Sequence, residues 1–277
     1  MRNVLLTITY DGTNFCGWQI QPNQRSVQGE IERVLSIVCD RTIRINGASR
    51  TDAGVHAYGQ CASFQADFSI PIDKIPVAAN RLLAVAQDRN NKKRRISADA
   101  AILSAEEVPI DFHARFNSLG KKYIYKIRNS HKPDPFQRNY SYSVGKTLDI
   151  RVMKKAAASF VGTFDFKAFQ AAGGKELEST VRTVYGTQIY AEPASHMIIL
   201  EIIGDGFLYN MVRIIAGTLV DIGLGKKTPD EIPYIISKKC RQLAGHTAPP
   251  NGLYLAEVFY KKERMLEAIK MMDGKEE

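Results

Sequence analysis

The sequence has 277 residues, 44% of them hydrophobic and 24% charged, so it can form one large or two ordinary globular domains and is not wholly disordered. A formal net charge of +9 favours a polyanionic partner, although solvated lysines would give the same excess. Four scattered cysteines, without a C-x-x-C pair or a histidine cluster, argue against structural zinc and for reduced thiols. The first apolar run is too short to cross a membrane and lacks a signal-like cleavage site, so we expect a cytoplasmic protein.

The first half of the chain predicts the order strand, helix, strand, strand, helix, strand. Residues 3–10 are rich in β-branched and aromatic types and end at the turn signal Asp11-Gly12, as a strand does. Ser26 is a favourable N-cap, and five apolar residues follow it at helical spacing: Val27, Ile31, Val34, Leu35 and Val38. Residues 41–47 and 58–66 are predicted as strands, and residues 70–87 as a helix.

The second half repeats this rhythm, which indicates an α+β protein with a duplicated architecture. Strands are predicted over 121–129, 181–193, 195–207 and 252–260, and helices over 149–162 and 210–223. We expect an N-terminal unit at residues 1–107, a C-terminal unit at 108–262 and a helical tail at 263–277. In the strand over 121–129, Tyr123, Tyr125 and Ile127 share one face.

The stretch "SRTDAGVHA", residues 49–57, concentrates polar chemistry between two predicted strands. Gly47 and Gly54 allow a loop that approaches a ligand closely, and Arg50 lies two residues before Asp52. A carboxylate beside a guanidinium stays ionised at neutral pH, as a nucleophile or an electrostatic stabiliser requires. Structural Asp–Arg pairs in turns are commoner than catalytic ones, so this segment alone leaves both interpretations open.

A second segment, "DFHARFNSLGKKYIYKI", interleaves basic and aromatic side chains. Its cations are Arg115, Lys121 and Lys122, and its rings include Phe116 and Tyr123. Such a mixture suits RNA, whose phosphates pair with the cations and whose unstacked bases lie on the rings. A tyrosine in the core of a strand is the simpler alternative.

Two further segments carry positive charges that must be paired with anions or exposed to solvent. Arg213 lies in an otherwise apolar predicted helix, where an unpaired guanidinium would be costly, so we expect it to face an acid from the other half. The run "DRNNKKRRIS", residues 88–97, is either a phosphate-contacting loop or a solvated turn. Its candidate RNA contacts are Lys92, Lys93, Arg94 and Arg95. The sequence carries no phosphate-binding loop, dinucleotide fingerprint or metal-ligand cluster, so we expect no cofactor and no metal.

These segments, in this order, resemble the pseudouridine synthases, and closely the bacterial TruA-type tRNA enzymes. The similarity runs from "YDGTNFCGWQIQ" through "SRTDAGVHA", "DFHARF" and "NMVRIIAGTL" to "GLYLAEV". The resemblance implies the pseudouridine synthase fold: two ferredoxin-like halves with a mixed, mostly antiparallel sheet, flanking helices and a central basic cleft. It also implies a homodimer that forms pseudouridine in the anticodon stem-loop of tRNA, at positions 38, 39 and 40.

The resemblance also assigns roles residue by residue. The nucleophile falls on Asp52, and the arginine that enters the space of the flipped nucleotide falls on Arg50. The ring that stacks on the uracil is Tyr123, the arginine that pairs with the catalytic carboxylate is Arg213, and Leu253 lines the base pocket. The candidate substrate-binding residues are Arg50, Thr51, His56, Leu253, Arg115, Lys121 and Lys122.

Two differences from the family pattern bear on the substrate. Ser49 stands where the family usually has glycine, and a strongly basic insertion lies near residues 85–97. The sequence therefore leaves two alternatives open: a related enzyme that modifies a ribosomal RNA uridine, and a non-catalytic RNA-binding protein on the same fold.

Overall fold

The computed structural model describes residues 1–87, 93–95, 98–173 and 178–273 and divides the chain into two compact units. The first unit comprises Met1–Ser118 with Leu255–Val258, and the second comprises Leu119–Tyr254 with Phe259–Glu277. Both contain helices and antiparallel strands, so the predicted α+β class is confirmed. The segment over residues 253–259 is therefore divided between the two units.

The first unit holds two helices and six of its strands before residue 118. Its elements are β1 (Arg2–Tyr10), α1 (Val27–Val38), β2 (Asn46–Gly47), β3 (His56–Ala66), α2 (Ile75–Leu83), β4 (Val85–Gln87), β5 (Lys93–Arg95) and β6 (Ala100–Val108). The strands β6, β1 and β3 lie side by side in that order and antiparallel, and β2 pairs with β3. This is the strand order of a ferredoxin-like unit. The boundary predicted between residues 107 and 108 falls at the end of β6.

The strongest sequence patterns of the first unit are confirmed. Along β1, Val4, Leu6 and Ile8 are fully buried while their neighbours are more exposed, which is the alternation of a strand with one core face. The hydroxyl of Ser26 accepts from the backbone N–H of Gly29 at 3.1 Å and caps α1.

The predicted strand over residues 41–47 is wrong except for its last two residues. The backbone N–H of Ile43 donates to the Ser36 hydroxyl at 2.9 Å, and that of Ile45 donates to the Glu32 carboxylate at 3.1 Å. Because side chains of α1 take these donors, the backbone has none left there for a ladder. The helix predicted over 70–87 is also too long, since α2 covers Ile75–Leu83 and β4 follows it.

The second unit contains four helices and the remaining strands. Its elements are β7 (Gly120–Asn129), β8 (Tyr142–Val144), α3 (Ile150–Ala158), β9 (Gly162–Asp165), β10 (Val181–Glu192), β11 (Met197–Gly204), α4 (Met211–Gly223), α5 (Glu231–Lys238), the ends of β12 (Leu253–Phe259) and α6 (Lys262–Asp273). The order β7, β11, β10, β9 is antiparallel throughout, and β8 pairs in parallel with β7, so the sheet is mixed. The elements β8, β9 and α5 are absent from the sequence prediction.

The helix α4 is the centre of the second unit. Each of its residues except Arg213 is buried. A β-carbon on Gly217 would lie 1.9 Å from the carbonyl oxygen of His246, so the segment over 244–249 packs directly on the helix backbone. Although α4 is apolar, no helix among the described residues is long and apolar enough to cross a bilayer.

A buried ion pair crosses the sheet of the second unit. The ammonium of Lys122 on β7 lies 2.7 Å from the carboxylate of Glu201 on β11, and that side chain is only 6% exposed. The Tyr190 hydroxyl donates to the other Glu201 oxygen at 3.2 Å. Burial and the neighbouring Glu201 charge together raise the pKa of Tyr190 to about 12. The Lys122 ammonium is therefore paired with Glu201 within the second unit, and its contact with substrate stays a prediction.

We expect Lys122→Met to lower the free energy of unfolding by about 3–5 kcal/mol, because it leaves a buried carboxylate without its cation. Urea unfolding at neutral pH measures this loss. Adding Glu201→Gln should recover most of it. The control is Lys155→Met, which breaks the exposed pair with Asp230 and should cost under about 1 kcal/mol. Equal costs for Lys122→Met and Lys155→Met would contradict the prediction.

Candidate active site

The loop that carries Asp52 is held by the backbone of a distant segment. Asp52 forms an isolated antiparallel bridge with Gly17, and the backbone N–H of Trp18 donates to the Thr51 carbonyl at 3.0 Å. Gly17 has a φ of +105°, and a β-carbon there would lie 2.7 Å from the Thr51 oxygen. Only glycine therefore permits this approach at position 17.

The loop is also fixed on its far side and from within the core. The Thr51 hydroxyl lies 2.8 Å from the Tyr10 hydroxyl in a buried hydrogen bond. The backbone N–H of Val55 donates to the Asp52 carbonyl at 3.1 Å, closing a turn in which Gly54 has a φ of +79°. The backbone of Asp52 is thus anchored while its side chain is half-buried.

Gln60 secures the entry to the same loop. Its side-chain amide donates to the Ser49 carbonyl at 2.8 Å and accepts from the Ser49 backbone N–H at 3.3 Å. Gln60 is fully buried, whereas Arg50, next to Ser49, is exposed. Because the clamp engages only backbone atoms of residue 49, a serine there leaves it intact.

His56, a predicted substrate contact, is only 2% exposed. Its Nδ1 accepts from the Gly12 backbone N–H at 3.1 Å and lies 3.2 Å from an oxygen of Asp11. A neutral ring that accepts at Nδ1 carries its proton on Nε2. His56 therefore joins the Asp52 loop to the turn that follows β1.

In the second unit, Tyr123 lies on the buried face of β7, as predicted, together with Tyr125 and Ile127. The ring of Tyr123 stands edge-on to Phe207, with centroids 5.2 Å apart and an interplanar angle of 86°. This contact fixes the orientation of a ring that is only 6% exposed.

Arg213 is held at the start of α4 by two oxygens. Its Nε donates to the Ala248 carbonyl at 2.8 Å, and one terminal nitrogen donates to the Asn210 side-chain oxygen at 2.7 Å. The Ala248 N–H returns a bond to the Arg213 carbonyl at 3.1 Å. The Tyr125 hydroxyl donates to the Pro249 carbonyl at 2.7 Å. Burial raises the pKa of Tyr125, and this effect exceeds the lowering caused by the positive charge of Arg213. The predicted pairing of Arg213 with Asp52 stays a prediction.

The segment over 244–249, which supplies the Ala248 carbonyl, is fastened to α4 by polar side chains. The Thr218 hydroxyl accepts from the Gly245 N–H at 2.9 Å, and Arg241 donates to the Gly245 carbonyl at 2.9 Å. Because the Ala248 carbonyl helps to orient the Arg213 guanidinium, the bonds that hold this segment also position Arg213 indirectly.

The side chain of His246 also connects this segment to α4. Its Nδ1 lies 3.3 Å from the Asp221 carboxylate, and its Nε2 lies 3.2 Å from the Tyr142 hydroxyl. Lys226 donates to the other Asp221 oxygen at 3.1 Å. Burial raises the pKa of Asp221, but the bonds from Lys226 and His246 outweigh it, so the net shift is downward.

The remaining predicted residues are spread over both units. Leu253 is 7% exposed at the start of β12, Arg115 is exposed and Lys121 is half-buried. Lys92 lies outside the described residues, and for Lys93, Arg94 and Arg95 the backbone alone is described, as the strand β5.

Comparison with known proteins identifies the family. A family model described as tRNA pseudouridine synthase matches residues 6–117 and 156–261. The chain belongs to the tRNA pseudouridine synthase family.

Curated relatives agree along nearly the whole chain. It is 48% identical over 260 residues to tRNA pseudouridine synthase A of Ruminiclostridium cellulolyticum, covering 94% of this chain and 100% of that protein. It is 46% identical over the same shares to the protein of that name from Acetivibrio thermocellus. A solved Cbf5–Nop10–Gar1 complex matches 93% of this chain and 59% of its own at 11% identity, with a TM-score of 0.34, a likeness too slight to bear on function.

Several residues that support the predicted site residues were not predicted from the sequence. Tyr10, Gly17 and Gln60 in the first unit, and Asn210 and Asp221 in the second, act on backbone atoms or on other side chains. The only available signal is indirect, because "YDGTNFCGWQ" and "NMVR" carry glycine, asparagine and tyrosine beside apolar runs.

We expect Gly17→Ala to lower activity about 100-fold, because a β-carbon would displace the backbone that holds Asp52. Turnover under saturating substrate measures this loss. Gly225→Ala is the matched control, since Gly225 also has a positive φ of +71° but nothing within 4 Å of the added carbon. It should lose about 1–2 kcal/mol of stability to backbone strain and keep full activity. Similar activities in the two variants would contradict the steric argument.

We expect Asp221→Asn to be less stable than wild type by about 1.5–3 kcal/mol at pH 7, since it loses two charged hydrogen bonds. An aspartate whose pKa is lowered in the folded state stabilises the fold at pH values above its ordinary pKa of about 3.9. This stabilisation is lost as the pH falls through the pKa of the folded state. The difference should therefore shrink at pH 3. Urea unfolding at both pH values measures it, with the exposed Asp230→Asn as a control. A deficit that is equal at both pH values would refute the ionic role.

Proposed function

We propose that Asp52 is the nucleophile of this chain, which is an isomerase that forms pseudouridine in tRNA. One observation supports this role above the others. The backbone around Asp52 is anchored through Gly17, Trp18 and Val55, while the residue is half-buried on a loop within the first segment that the family model matches. A nucleophile needs such a fixed backbone behind it, because the attack geometry must be preorganised.

The reaction itself sets what the residues must do. The N1–C1′ bond of uridine breaks, the base turns, and C5 bonds to C1′. The proton lost from C5 balances the one gained at N1, so no redox step or energy input is needed. The Asp52 carboxylate either attacks C1′ or removes the 2′ proton to give a glycal, and both routes use the same ionised group.

The other roles follow from their surroundings. Tyr123, held edge-on by Phe207, stacks on the uracil and is the candidate for removing the C5 proton, and Leu253 lines the pocket. Arg213 pairs with Asp52 and keeps it ionised. Arg50, exposed beside the clamped Ser49, enters the space left by the flipped nucleotide.

The substrate contacts are assigned more broadly. The relatives' names favour tRNA over a ribosomal RNA target and an enzyme over a non-catalytic binder. Arg115, Lys121 and residues 92–95 of the basic insertion contact phosphates, whereas Thr51 and His56 support the loop from within. The target is the anticodon stem-loop of tRNA. The working form is a cytoplasmic homodimer with a basic cleft, and analytical sedimentation distinguishes the dimer from a monomer.

We expect Asp52→Asn to abolish turnover while leaving the Kd for tRNA within about twofold, because the amide keeps the shape and loses the nucleophile. Tritium release from C5-labelled uridine in tRNA measures turnover, and filter binding measures Kd. The control Asp73→Asn alters an acid with a 68% exposed side chain and should change neither. Retained turnover in Asp52→Asn would remove Asp52 from the chemistry.

Pseudouridine mapping by carbodiimide-dependent primer-extension stops, in cells with and without the gene, identifies the target. Loss of stops in the anticodon arm supports the proposed site. Loss confined to ribosomal RNA would overturn it.

A further inference from the structure

Phe116 exposes its ring at a place where the chain around it is tightly held. It is 76% exposed, although Ala114, two residues earlier, is fully buried. An exposed phenylalanine next to a buried anchor cannot relieve its exposure by moving into the core. The ring is thus held in solvent by the fold of the first unit.

The anchoring of this segment comes from two buried side chains of the sheet. The Ser63 hydroxyl on β3 accepts from the Ala114 N–H at 3.0 Å. The Asn3 amide on β1 donates to the carbonyls of Pro109 and Phe112, each at 2.8 Å. Both side chains are 2% exposed, so water does not compete for these bonds.

A tight turn then fixes residues 113–117, which we call the aromatic turn. The His113 N–H donates to the Asn117 side-chain oxygen at 2.7 Å, and the Phe116 N–H donates to the His113 carbonyl at 3.1 Å. The Arg115 N–H donates to the His113 Nδ1 at 3.1 Å, which fixes the imidazole plane. The turn is therefore preorganised without its ligand.

The rings of the aromatic turn contact each other and leave most of the Phe116 ring exposed. The His113 and Phe116 centroids are 4.4 Å apart with an interplanar angle of 32°, and the Arg115 guanidinium carbon lies 5.8 Å from the Phe116 centroid. Because the Phe116 side chain remains 76% exposed beside these two groups, it has surface available for a flat partner. No carboxylate among the described residues pairs with Arg115, so its charge is available to an anion.

We propose that the aromatic turn is a stacking platform for one unstacked base of the tRNA substrate, with Arg115 on the adjoining phosphate. A flat ring beside a cation matches a nucleotide, which presents a base and a phosphate together, and the net charge of +9 favours that partner. The base is distinct from the reacting uridine, which is assigned to Tyr123. This inference rests on the proposed function only in taking tRNA as the ligand.

The test compares Phe116→Ala, Phe116→Leu and Phe116→Tyr by filter binding of unmodified tRNA across a salt series, and by steady-state kinetics. Stacking on one ring contributes about 5- to 100-fold in affinity, so Ala and Leu should each raise Kd and KM by about 10-fold or more with kcat unchanged. Tyr should restore both. The slope of log Kd against log salt should stay at the wild-type value, because no phosphate contact is lost.

Two controls separate the contributions. Arg115→Ala should weaken binding and also reduce the salt slope by about one. Phe136→Ala removes another phenylalanine, which is 85% exposed and lies outside the aromatic turn, and should leave Kd unchanged. Thermal unfolding of each variant should match wild type, since the replaced ring is exposed.

Three results would overturn the proposal. The first is a wild-type Kd for Phe116→Ala. The second is a wild-type Kd for Phe116→Leu, which would mean that apolar bulk rather than a ring is needed. The third is a changed sedimentation coefficient for Phe116→Ala, which would make the turn a protein interface. Its failure is distinct from failure of the proposed function. If only the stacking proposal fails, the wild-type protein still modifies tRNA and the Asp52→Asn variant still does not. If the proposed function fails, either the wild-type protein does not modify tRNA or the Asp52→Asn variant does.

Discussion

The close approach of Gly17 to the backbone of Thr51 and Asp52 is the constraint on which the first unit's site depends. It anchors the loop by main-chain bonds between two segments that are far apart in the sequence. Tyr10 and Gln60 extend the same arrangement, since they secure Thr51 and Ser49, which lie close to Asp52. The backbone around Asp52 is thus fixed by several independent contacts.

The second unit solves a related problem with a cation. Arg213 lies in an apolar helix, and uncharged oxygens of Ala248 and Asn210 help to orient its guanidinium. The charges needed to hold the segment over 244–249 lie one layer away, at Asp221 and Lys226.

Sequence reasoning succeeded where one physical signal dominates and failed where two compete. The periodic apolar face of α1 and the alternation along β7 identified those elements, because burial of one face decides them. Residues 41–47 alternate as a strand does, yet side chains of α1 take their donors. The helix α5 is short and contains Pro233, so its pattern is weak. Motif similarity predicts Asp52 and Arg213 as site residues, but it does not indicate the residues that support them, because a hydrogen bond to the backbone does not require a particular residue type.

The shared strand β12 has a consequence for biosynthesis. Four residues near the end of the chain, Leu255–Val258, belong to the unit that begins at Met1, and Gly59 on β3 lies so close that an added β-carbon would be 2.6 Å from the Ala256 carbonyl. Translation delivers the N-terminal residues first. The nascent first unit therefore lacks one strand until residue 258 has emerged from the ribosome, and a chaperone that covers the open edge of β3 during that interval would protect it from mispairing.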